Sequence, residues 1–257
     1  MLLRSTRSRF AAALSMCCVA GLALGGAAAS RGRVTRGASL PLAHTVVGID
    51  AGHNGRNYTD PGYIGHIVWN GREQETCDTT GTETAGGYTE AQFNFNVAEY
   101  LAADLRALGA RVVLTRTNNY GVGPCVTRRS EILNRAHANV AIDIHADGGP
   151  VTGRGFVVLE PVADGPNDRV TGASRAFGRA VLAHYLELTG MPTSSYDGVH
   201  GISYRADLAG LNLTTVPKVL IECGNMRNPG DAARLTRASF QRLAARALTE
   251  AIISYLG

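Results

Sequence analysis

The sequence predicts an α/β fold: a mostly parallel (mixed) sheet with helices on both faces, formed as a single domain over residues 45–257. Three observations carry this reading. Short Val/Ile-rich runs alternate along the chain with longer segments of helical period. Three of those runs end abruptly in a functional side chain: TVVGIDAGH in His53, VAIDIHAD in His145-Ala146-Asp147, and VPKVLIE in Glu222. No internal repeat and no Pro- or Ser-rich linker divides the region. A parallel sheet brings the C-terminal ends of such strands to one edge, where α/β folds place ligand-handling groups. Two imidazoles and a carboxylate delivered there have the composition of a catalytic zinc site.

Residues 1–30 have a different character. Arg4, Arg7 and Arg9 precede an uncharged run from Phe10 to Ala29, and Ala27-Ala28-Ala29 suits the small-residue rule of a secretory cleavage site. Gly21, Gly25 and Gly26 interrupt the run, which argues for a removed signal peptide over a retained membrane anchor. Ser15-Met16 before Cys17 and Cys18 do not suit a lipidation site. Losing residues 1–30 removes three arginines and no acids, so the formal net charge falls from +4 to +1. The basic balance therefore belongs mostly to the signal, and nucleic acid is not an expected partner. Export to the periplasm or cell wall follows. There Cys77 and Cys125, both in turn-rich polar stretches, are expected to form a disulfide, and Cys223 to be a small buried thiol.

Residues 31–44 read as an N-terminal tail without periodicity, leading into a strand at Thr45–Asp50. Glycines around His53 permit a tight turn, and Gly52 leaves room for a group to approach the backbone. A long polar loop spans residues 56–87, and within it Asn70-Gly71 signals a hairpin between Ile64–Trp69 and Arg72–Thr76. Thr89 and Gln92 have capping-box spacing, opening a helix from Glu90 to Leu108 with Phe93, Val97, Leu101 and Leu105 on one face. Glu90 has two readings: an acid favoured by the helix dipole, or a third metal ligand aimed at the sheet edge. Then come a strand at Ala110–Thr115, a helix at Thr127–Ala138, the His145 strand, a strand at Gly155–Glu160 and a helix at Arg169–Thr189. Met191–Leu213 reads as irregular and polar, with Asp197, Arg205 and Asp207 above the sheet. After the Glu222 strand, Asn228-Pro229-Gly230-Asp231 opens one long C-terminal helix.

Catalytic zinc takes three N or O ligands and keeps a position for water. His53, Glu90 and His145 supply two nitrogens and a carboxylate, and Glu222 is the group left to move protons. Asp50 and Asp143 are candidates to support the two histidines from behind. Taken singly, a histidine at a strand end is more often structural. The other histidines, 44, 66, 137, 184 and 200, are expected at the surface. There is no HExxH, which excludes the common helical zinc-protease site.

In four motifs taken in order the chain resembles the zinc-dependent N-acetylmuramoyl-L-alanine amidases of the amidase-3 type: VVGIDAGHNG, TEAQFNFNVAEYLAADLRALGARVVLTR, RSEILNRAHANVAIDIHAD and VPKVLIECGNMRNPGDAARL. The resemblance implies His53, Glu90 and His145 as zinc ligands and Glu222 as the catalytic glutamate. It implies hydrolysis of the amide between the lactyl group of N-acetylmuramic acid and L-alanine of the peptidoglycan stem peptide. The expected substrate is peptidoglycan or its muropeptide fragments, the mature chain has no expected membrane span, and a monomer is expected. The alternatives are a zinc peptidase acting within the stem peptide and a non-catalytic wall-binding protein of the same fold. Departures from the family pattern are DAGH for DPGH, IHAD for IHAN, and CGNMRN after the glutamate, which alters the leaving-peptide side. No long helix is expected after the Gly155 strand, so the groove is expected to be open.

Overall fold

A computed structural model describes residues 39–163 and 165–257; the expected signal peptide lies outside them. The main sheet has six strands among the described residues, in the order β4-β1-β5-β8-β6-β7. Its centre is β1 (Val46–Ala51), β5 (Val140–Asp147) and β8 (Lys218–Asn225), mutually parallel neighbours. These are the three strands whose ends carry His53, His145 and Glu222. Strand β4 (Arg111–Leu114) adds in parallel on one side. On the other side β6 (Val157–Pro161) runs antiparallel to β8, and β7 (Ile202–Arg205) pairs parallel to β6, which makes the sheet mixed.

The period of two sorts each strand into an oily face and a chemical one. Val47, Ile49, Ala51, Val140, Ile142, Ile144, Val219, Ile221 and Cys223 pack in one core with helices α2 (Glu90–Ala107), α4 (Thr171–Thr189) and α7 (Ala238–Leu256). Burial of each large aliphatic chain there contributes about 1.5–3 kcal/mol. Asp50, Asp143, His145, Lys218 and Glu222 take the alternate positions and face the opposite way, toward α3 (Val126–Arg135) and α5 (Ala209–Asn212).

Several boundaries follow the local chemistry. The Thr89 hydroxyl accepts from Gln92 N at 3.3 Å and starts α2 where the capping spacing predicts. Asn70-Gly71 turns an antiparallel hairpin of β2 (Ile67–Trp69) and β3 (Gln74–Thr76), and Gly71 uses a φ of 101° there. Its expected first strand is shorter because Asp60 caps a short helix, α1 (Pro61–Gly65), through Tyr63 N.

Two expectations are corrected. The stretch Met191–Leu213 is not wholly irregular, since it holds β7 and α5. The C-terminal helix is two helices, α6 (Pro229–Leu235) and α7, because the Gln241 side chain donates to Leu235 O at 2.8 Å and satisfies a carbonyl that α6 leaves behind. The tail also docks: Leu42 is buried and its N–H donates to Leu108 O. Among the described residues no helix lies between β6 and α4, and no helix is long and apolar enough to cross a membrane.

Candidate active site

His53 follows β1 in a left-handed backbone conformation, φ 59°, that few side-chain-bearing residues adopt. Arg129 donates to its carbonyl at 2.8 Å and holds it there. Gly52 is needed beside it, because an added Cβ would stand 2.2 Å from the His145 ring. The group that Gly52 admits is therefore the second imidazole. The rings meet edge to face, with centroids 4.9 Å apart.

Glu90 opens α2 and turns its carboxylate between them. Its Oε1 lies 2.8 Å from His145 Nδ1 and 3.3 Å from His53 Nε2. Thr82 N donates to Oε2 at 2.9 Å, so Oε1 is the oxygen left facing the rings. One ligand atom from each of His53, Glu90 and His145 falls within 4.8 Å of the others, a set that could hold a metal ion. Glu90 thus serves both of its sequence readings, since an acid in the first helical turn is also the one aimed at the sheet edge.

The far nitrogens of both rings meet carboxylates. His53 Nδ1 lies 3.3 Å from Asp78 Oδ1, and His145 Nε2 lies 3.3 Å from Asp143 Oδ1. Such contacts keep a proton on the outer nitrogen and leave the inner lone pair for a metal. Asp143 therefore stands behind His145 at ion-pair distance, without a hydrogen bond to it. Asp50 does not support His53 directly; Asp78 does. Asp50 stands one step further back, where Arg129 bridges it to Asp78 at 2.9 and 3.2 Å. Buried Lys218 then joins Asp50 to Asp143 at 3.1 and 3.3 Å. An alternating arc, His53–Asp78–Arg129–Asp50–Lys218–Asp143–His145, fixes both imidazoles from behind. The spacing rules pointed to none of Asp78, Arg129 and Lys218. The usable signal was a lysine inside the apolar run VPKVLIE, a charge that burial obliges to find partners.

Burial opposes charge on His53, His145 and Glu90, and their oppositely charged neighbours overcome it. Glu90 and Asp78 raise His53 to about 9, and Asp143 and Glu90 hold His145 well above its usual range. The two imidazoles hold Glu90 well below the carboxylate range. Glu222 goes the other way. Burial, with the Glu90 and Asp147 carboxylates adding to it, pushes its carboxyl up to about 8.

Glu222 pairs in register with His145 across β5 and β8, so the two side chains project together. Its Oε2 is buried and has no hydrogen-bond partner among the described residues. Asp147, the acid of IHAD, accepts from the Tyr196 hydroxyl at 2.7 Å, which gives that departure a structural role. A cavity of about 210 Å³ opens beside both imidazoles, walled by Glu75 and Thr76 of the hairpin and Leu208 and Leu211 around α5. Of the polar residues expected above the sheet, Arg205 and Asp207 form a bidentate pair at 2.7 and 2.6 Å, and Asp197 accepts from Ser203. Histidines 44, 66, 137 and 200 are exposed and His184 is half-buried. Cys223 is buried, as expected. Cys77 and Cys125 are both buried as thiols, with their sulfurs and a His66 nitrogen within 4.8 Å of one another.

The fold and this donor set define a hydrolase-type α/β domain with a preformed His/Glu/His centre and an adjacent unpaired glutamate. Residues 47–254 match the family model Amidase_3, N-acetylmuramoyl-L-alanine amidase, and the chain belongs to that family. It is 40% identical over 216 residues to N-acetylmuramoyl-L-alanine amidase Rv3717 of Mycobacterium tuberculosis, covering 84% of this chain and 88% of that protein. The crystal structure of the amidase Ami1 from Mycobacterium smegmatis superposes with a TM-score of 0.79 at 37% identity, over 84% of this chain and 98% of that one. Apo Ami1 from Mycobacterium abscessus gives 0.78 at 36% identity, over 84% and 100%.

Proposed function

We propose that this chain is a zinc-dependent N-acetylmuramoyl-L-alanine amidase in which His53, Glu90 and His145 hold the zinc and Glu222 moves the proton. The observation that carries the reading is the orphaned Glu222 Oε2, buried beside three converging ligand atoms. A buried carboxylate oxygen without a partner is costly, and it suits a site whose missing partner is a water or a substrate N–H. The donor set of two imidazoles and one carboxylate is that of a catalytic zinc, with the rings oriented by carboxylates. When bound, zinc would supply a Lewis acid for the scissile carbonyl and make water more acidic.

The reaction is addition of water to the lactyl carbonyl of N-acetylmuramic acid and expulsion of the L-alanine nitrogen. Glu222 takes a proton from the attacking water as the C–O bond forms. It returns that proton to the nitrogen as the C–N bond breaks, leaving a free acid and a free amine. Asp78 and Asp143 keep the imidazoles in one orientation throughout.

Residues 1–30 are proposed to direct export to the periplasm or cell wall, leaving a monomeric mature chain that begins near Arg31. In that oxidising setting the Cys77 and Cys125 thiols, already side by side, would close into a disulfide.

Product analysis on purified muropeptides tests the reading. Release of intact stem peptide with a free L-alanine amine supports it. Cleavage within the stem peptide would instead indicate the peptidase alternative, and no turnover by zinc-loaded protein would indicate a wall-binding role.

A further inference from the structure

The CGNMRN departure places a cation close to the reaction. Arg227 stands on the turn after β8, five positions beyond Glu222, and is exposed. The turn is stiff. Asn225 is fully buried, its side chain donating to Pro150 O and Gly153 O and accepting from Arg227 N at 3.0 Å. Met226 N donates to Asp147 O at 2.8 Å. The guanidinium it presents makes one long hydrogen bond, 3.5 Å to Gly148 O, and no ion pair among the described residues.

Arg227 lines a polar groove of about 560 Å³ together with Thr82, Glu83, Gly81 and Tyr58. Gly81 ties this groove to the centre, because a Cβ there would stand 2.7 Å from the His53 ring and 2.8 Å from Glu90. A groove that reaches the centre therefore carries a cation on the turn that follows the Glu222 strand. Glu222 hands its proton to the departing nitrogen, so the peptide leaves on its side. The three positions from Glu222 to the end of β8 span roughly 10 Å, the length of about three extended peptide residues. Glu83, in the same groove, disfavours an anion at its own end.

We propose that Arg227 is a specificity-determining residue that pairs with a carboxylate on the second or third residue of the leaving stem peptide. This rests on the amidase reading above. An exposed pair of this kind is worth about 1 kcal/mol at most, which corresponds to roughly a fivefold preference, and is screened by salt.

The test uses zinc-loaded protein and two muropeptides identical except that the carboxylate in question is free in one and amidated in the other. For the natural chain the free-acid substrate should show a KM about fivefold lower, with the gap closing at high salt. Arg227→Gln should abolish that preference, and Arg227→Lys should keep most of it. Equal KM values for the two substrates in the natural chain, or a preference retained by Arg227→Gln, would overturn the proposal while leaving the amidase reading intact. Failure of the natural chain to release stem peptide from either substrate would overturn both.

Discussion

Asp50 and Glu222 lie on the same face of one sheet, and their surroundings are opposite. Asp50 has every oxygen answered: Thr115 and Arg129 on one, Lys218 on the other. Glu222, two strands away, keeps a buried oxygen that nothing answers. The first region offsets its desolvation with partners drawn from three separate segments, and so acts as a frame. The second leaves the cost standing where a reacting proton has to go. Two acids of one sheet face thus divide structure from chemistry by whether their partners come from the chain.

That contrast can be broken first at Lys218. Replacing it with methionine leaves Asp50 and Asp143 facing each other, and we expect a loss of about 3–5 kcal/mol in denaturant-measured stability. A loss under 1 kcal/mol would mean that the arc is not the frame described. Next in size is the cysteine pair. If the proposed Cys77–Cys125 bridge forms on export, its reduction should lower stability by about 2–4 kcal/mol, read from the denaturant midpoint with and without reductant. An unchanged midpoint would show that the thiols remain free.

Asp78→Ala removes the support behind His53 and should weaken zinc binding about 10- to 100-fold, measured by competition with a chromogenic chelator. Affinity equal to that of the natural chain would move the role elsewhere. The smallest effect is the acid dependence of the frame. Lys218 and Arg129 hold the Asp50 carboxyl below its ordinary value of 3.8, overcoming burial. A depressed carboxylate stabilises the fold above the unfolded pKa, and that stability is lost as pH falls below 3.8 toward the folded value. The melting temperature should therefore fall on that side, and the Lys218→Met variant should show the shallower slope.

Much of this was legible in the sequence where one physical rule dominates. Apolar alternation marks β1, β5 and β8 because those strands are buried on a continuous oily face, and their ends then place His53, His145 and Glu222 without further information. Glu90 was ambiguous for a sound reason, since the dipole and the metal favour the same residue type at the same place. Asp78 was not legible. Its contact with His53 closes across 25 positions through a hairpin whose path no local pattern states. The break between α6 and α7 was hidden because apolar spacing continues through it, while the residue that permits it, Gln241, acts from the next helix. Strand β7 has four residues and one buried side chain, too little alternation to stand out.

Glu222 is proposed to carry the proton without being needed for assembly of the metal centre. Zinc content and muropeptide hydrolysis measured together on Glu222→Gln test it directly. We expect about one zinc per chain, stability equal to or above that of the natural chain, and hydrolysis slower by about two or more orders of magnitude. Hydrolysis at the natural rate, or a variant that no longer holds zinc, would contradict it.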